Sequence, residues 1–129
     1  MFSLNQEKTD TQENLTKQQH ALETSIVKLL VSEYEGVEAV SFNGWGYSPE
    51  TGSWATIATI NRDNTISFSF DGLSGLEEID GSTYHPDTFK LEEKPGFEDL
   101  PGARFRVEEI EKTSIEGIKI IHSKNQKED

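Results

Sequence analysis

The sequence predicts an α+β domain: one N-terminal amphipathic helix packed on a curved antiparallel sheet of five or six short strands. Two observations carry this. Between Asn14 and Tyr34 the apolar residues Leu15, Leu22, Ile26, Leu29, Leu30 and Tyr34 recur at threes and fours, a single stripe along a helix. From Val37 onward the period drops to two. It is clearest where Ile66, Phe68 and Phe70 alternate with Thr65, Ser67 and Ser69, the pattern of a sheet with one oily and one wet face. Neither a lone helix nor a lone sheet can bury its apolar side, so the economical solution lays one across the other.

The elements follow in order. Residues 1–13 are polar and without period and are expected to form a flexible arm. A single domain then spans 14–123, and 124–129 form a disordered tail. Asp10 with Glu13, or Thr11, is placed to cap the start of the helix. Glu23, Thr24, Lys28 and Ser32 make its solvated face, and Gly36 ends it in a left-handed turn. "VEAVSF" (37–42) is a short strand, followed by a long glycine- and proline-containing turn, "NGWGYSPETG". "SWATIATIN" (53–61) and "TISFSFD" (65–71) form a hairpin joined through "RDN". The stretch 72–103 is loop-rich, with one short strand at "TFKLEE" (88–93). Two more strands, "RFRVEEIEK" (104–112) and "GIKIIHS" (117–123), pair through "TSIE".

With 33% hydrophobic and 28% charged residues, a chain of 129 can bury a modest core. It has no cysteine, so disulfides, thiolate metal sites and cysteine nucleophiles are excluded. The net charge is −12, and half of that excess lies between residues 76 and 103, which hold 8 acids and 2 bases. Such a surface does not suit nucleic acid, whose counterions are released by cationic patches. It suits a basic protein partner or divalent cations, or serves only to keep the protein in solution.

Motifs for catalysis are missing. His20, His85 and His122 are far apart in sequence, and no HExxH, GxSxG or phosphate-cradling glycine loop occurs. Adjacent acids such as Glu92 and Glu93 would point to opposite faces of a strand. Asn61, Asp63 and Thr65 alternate as in a calcium loop, but the glycine and distal glutamate of an EF-hand are lacking, and a hairpin turn explains them better. No cofactor or metal is expected. The candidate binding residues are of two kinds. Trp45 and Tyr47, flanked by glycines, offer aromatic rings that stack on sugars or hold a protein partner. The alternative use of the tryptophans is structural, Trp54 in the core and Trp45 over the open end of the sheet. Glu77, Glu78, Asp80, Glu98 and Asp99 offer an acidic face.

The stretch "GVEAVSFNGWGYSPETGSWATIATINRDNTISF" resembles a group of small surface lipoproteins of Gram-positive bacteria. In that group a leading helix precedes a strand, a glycine–aromatic turn, a "TG.W" turn and an "IN…ISF" hairpin. The likeness covers residues 20 to 72. Members are mostly of unknown function, and the resemblance brings no catalytic residue with it. It implies an extracytoplasmic protein made with a signal peptide and a lipid-modified cysteine. "FSLNQEKTDTQENLTKQQ" would be the polar tether, with leader and cysteine lying before it. Two roles are then expected. One is a non-enzymatic binding module whose sheet and Trp45 turn meet a protein or a cell-wall component. The other is an acidic immunity or inhibitor protein that neutralises a basic partner such as a toxin through residues 76–99.

Overall fold

The computed structural model describes residues 4–96 and 102–123, with side chains from Asn14 onward. Its elements are helix α1 (Leu4–Glu33), strands β1 (Ala39–Ser48), β2 (Ser53–Ile60), β3 (Asn64–Phe70) and β4 (Ile79–Tyr84), helix α2 (Val107–Glu111) and strand β5 (Lys119–Ile121). Short 3₁₀ turns at Leu76–Glu78 and Ala103–Phe105 precede β4 and α2. The five strands form one sheet in the order β4-β3-β2-β1-β5. All neighbours are antiparallel except β1 and β5, which pair in parallel from Ala39↔Lys119 to Ser41↔Ile121. The fold is α+β, with α1 across one face of the sheet.

That packing is the expected one. Leu22, Ile26, Leu29 and Leu30 share one buried cluster with Val40, Phe42, Ala58, Ile60, Ile66, Phe68 and Phe70. The strand alternation is strict in β3, where every second residue from Asn64 to Phe70 is buried. Helix α1 begins at Leu4, so Asp10, Thr11 and Glu13 lie inside it rather than at a cap. No glycine or proline interrupts residues 1–35, so the backbone has no reason to stop at Asn14. The expected tail at 124–129 lies outside the described residues. At the other end Gly36 takes φ 76° and turns the chain into β1, as its position predicts.

The hairpin turn is fixed from outside. Asn61 (φ 52°) and Arg62 (φ 82°) both adopt left-handed backbone. The Asn61 side chain accepts from the backbone N–H of Glu38 (2.8 Å) and Ala39 (3.0 Å) and donates to the Gly36 carbonyl (2.7 Å). A residue that read as a turn former thus ties the hairpin to the connection between α1 and β1.

Four expectations are corrected. The turn after Phe42 is shorter than its glycines suggest: β1 continues to Ser48, with a bulge between Phe42 and Trp45. The extra residue flips the alternation, so that Trp45 and Tyr47 lie on the core side, opposite Thr56 and Trp54. "TFKLEE" is not a strand. It buries Phe89, takes the Asn64 side-chain oxygen on the Lys90 N–H (2.6 Å), and touches the end of α1 through one bridge, Tyr34↔Glu93. "RFRVEEIEK" is a 3₁₀ turn and α2, because neither of its alternating sets is apolar, whereas Val107 and Ile110 share a helical face toward the core. With that segment helical, 117–123 has no hairpin partner. Its strand β5 pairs with β1 instead. The strand that was missed, β4, has only Ile79 turned inward; the rest is exposed and polar, so its sequence carries no strand period.

Candidate functional site

The sheet separates the two groups of residues singled out above. Trp45 and Tyr47 are on β1, while Glu77, Glu78 and Asp80 are in the 3₁₀ turn and at the start of β4. Two strands lie between, so the groups stand about 14 Å apart across the sheet. Glu98 and Asp99 lie outside the described residues. The Ser74 hydroxyl joins the first two acids, donating toward Glu77 Oε2 (3.2 Å) and Glu78 Oε2 (2.9 Å). Asp80 is exposed beside them.

Trp45 and Trp54 exchange the structural places expected for them. Trp45 packs against the core, its ring 5.9 Å from Phe70. Trp54 is half-buried and pairs with the exposed Tyr47, ring centroids 4.9 Å apart, at the open end of the sheet.

The indole N–H of Trp45 leads to a cluster that the sequence reading missed. It donates to Glu23 Oε2 at 2.8 Å. Glu23 is fully buried, not solvated. On a helical wheel it stands only about 20° from Leu30, at the edge of the apolar stripe. That proximity was the available signal. The Ser123 hydroxyl also donates to Oε2, while Oε1 accepts from the Ser123 backbone N–H (3.1 Å) and His122 Nδ1 (2.7 Å). His20 Nε2 in turn donates to the Ser123 carbonyl (2.8 Å), and the His20 and His122 rings lie 4.7 Å apart. Two histidines separated by a hundred residues are therefore neighbours. Four donors fill both carboxylate oxygens, so the group is a clasp joining α1, β1 and the segment after β5.

A cleft of about 440 Å³ opens between β4, the end of α1 and residues 102–106. Leu29, Ile66, Phe68 and Ile79 form its floor, and Glu33, Asp80, Arg104 and Arg106 reach its sides. Arg106 donates to Glu33 at 2.9 Å, both side chains nearly buried. Burial pushes the Glu33 carboxyl above the usual carboxylate range, against the lowering effect of Arg106 and with a small push from Glu93. Tyr34, on the same wall, is pushed up to about 12 by burial and then by the charges of Glu33 and Glu93 and by Tyr84.

The outer face of the sheet has a different character. Its cross-strand rows are Ser41–Thr59–Thr65, Ile57–Ser67–Thr83 and Gly46–Ala55–Ser69–Gly81. None of these ten residues is charged, where the chain's 28% frequency would place about three. They are half-exposed or exposed, and both helices lie on the other side. Ile57 and, on β5, Ile121 stand out at 40% and 51% exposure, and Lys119, paired with Ala39, brings a charge to the β5 edge of the face. Among the described residues no group of histidines and acids is arranged to hold a metal, and no helix is long and apolar enough to cross a membrane. No protein-family model, curated protein or solved structure matches this chain.

Proposed function

We propose that this chain is a non-enzymatic binding domain that meets a protein or a cell-wall component through the outer face of its sheet. The observation that carries the reading is the absence of charge from that face over β1 to β4. A surface in a chain of net charge −12 that presents ten uncharged, mostly small side chains over four strands lets a flat partner approach closely without stripping water from ions. Tyr47 and Trp54 lie on the helix side of the sheet, so this reading rests on the outer face without the aromatic pair. The lipoprotein likeness of residues 20 to 72 supports placing the domain outside the cytoplasm, on a lipid anchor ahead of the helix.

Two experiments test this. A photocrosslinking residue at Ile57 should form several-fold more adducts on intact host cells or purified cell walls than one at Glu108 on α2. Equal yields refute the outer face. The anchor is tested by the codons upstream of Phe2 in the native gene, which should encode a signal peptide and a lipid-accepting cysteine; a stop codon or ribosome site there refutes it.

The gathering of Glu77, Glu78 and Asp80 at the start of β4 favours a second reading, an immunity or inhibitor protein for a basic partner. Reversing those three charges would then abolish binding, with a steep dependence on salt.

A further inference from the structure

We infer that the free edge of β4 and the cleft beside it take an extended peptide, which adds a sixth strand to the sheet and sets a carboxylate against Arg104.

The edge comes first. Strand β4 ends the strand order, and five of its six residues are exposed. Among the described residues its backbone pairs with β3 and with no other element. It contains neither lysine nor proline, and its one charge and its bulge both fall at Asp80 near the start, which leaves residues 81–84 as a regular edge. Unpaired N–H and C=O groups in a row are the template that strand addition uses.

The cleft supplies what an edge alone lacks. It runs along Asp80, Gly81 and Ser82 on one side and Gly102–Arg106 on the other, with an apolar floor. Its 440 Å³ falls within the size range of ligand pockets, roughly 300–1,000 Å³. A strand laid along β4 sends every second side chain to the core side, over that floor, and the others to the uncharged outer face.

Charge then selects the occupant. Two of the three arginines in the chain line this cleft. Arg106 is matched by Glu33. Arg104 is exposed and makes no ion pair with the described residues, so it is placed to receive a carboxylate. A second copy fits poorly. Pairing β4 with β4 would bring together two chains of charge −12.

The test pans a display library of random octapeptides with free carboxyl ends against the full chain. Enriched peptides should alternate apolar residues and shift the backbone amide resonances of 79–84 and 102–106. Methylating alternate peptide amides should abolish binding. Arg104→Glu, at an exposed position, should weaken it about tenfold while leaving the urea midpoint unchanged. The inference is overturned if no peptide enriches, if the shifts fall elsewhere, or if methylated peptides bind equally. A dimer joined through β4 in sedimentation and crosslinking would also overturn it. Ile57 lies two strands from β4, so any of these failures leaves the outer-face reading to its own test.

Discussion

Replacing Glu23 with alanine removes the acceptor on which four donors converge. The Ser123 N–H and hydroxyl are buried with their residue at 5% exposure, so neither regains a full complement of water. Leaving a buried donor unmet costs about 1–3 kcal/mol. Trp45 and His122 are partly exposed and recover some hydration, and contribute less. The expected loss is therefore about 3–5 kcal/mol, the range seen when one partner of a buried charged network is removed. Against a typical total of about 5–15 kcal/mol, that is a large share. Urea denaturation followed by far-UV circular dichroism gives the value. A double-mutant cycle with Trp45→Phe isolates one bond, and the pair should couple by about 1–2 kcal/mol. A cost below about 1 kcal/mol for Glu23→Ala, or strict additivity in the cycle, would show that the clasp does not hold these elements together.

Three more outcomes follow from the geometry. Asn61→Ala should cost about 2 kcal/mol by urea melts, since three side-chain bonds to the α1–β1 connection vanish, while Asn61→Asp, which keeps both acceptor bonds, should cost less than half of that. Arg62→Gly should stabilise by about 0.5 kcal/mol, because the relief of a left-handed arginine at φ 82° slightly exceeds the added freedom of the unfolded glycine; a measurable loss of stability contradicts this. The third is a pH dependence. Tyr34 is raised from 10 to about 12 in the fold, so the neutral hydroxyl is favoured and its stabilisation is complete below pH 10 and lost as pH rises to 12. Wild type should lose on the order of 2 kcal/mol more than Tyr34→Phe between pH 9.5 and 11.5 in paired urea melts. Glu33 is raised as well, so its contribution is likewise present below 4.5 and lost as pH climbs through its folded value, and Glu33→Gln should remove that slope.

The elements legible beforehand are those whose period reflects one burial surface. The stripe of α1 and the alternation of β3 each face a single partner, so hydropathy alone reveals them. Past Ile79, strand β4 is exposed on both faces and has no period to read. The α2 segment is a helix of five residues whose identity rests on Ile110 meeting α1. Of the acids proposed as a face, Glu77 and Glu78 meet at the Ser74 hydroxyl, while Asp80 lines the cleft. The aromatic pair is divided by function, Trp45 serving Glu23 and Tyr47 serving Trp54. The histidines looked unrelated because chain distance says nothing about contacts between α1 and the segment after β5.

By itself, then, the amino-acid order determined a helix over a sheet, the central hairpin, the left-handed stop at Gly36 and the acidic character of the surface. All of these are local properties, set by side-chain period and backbone freedom within a few residues. Only the tertiary structure decided that Glu23 is buried, that β5 runs parallel to β1, that the outer face carries no charge across its four antiparallel strands and that β4 leaves an open edge beside a cleft. Those depend on which segments meet across the fold, and a polar group's environment is set by its neighbours in space rather than in sequence.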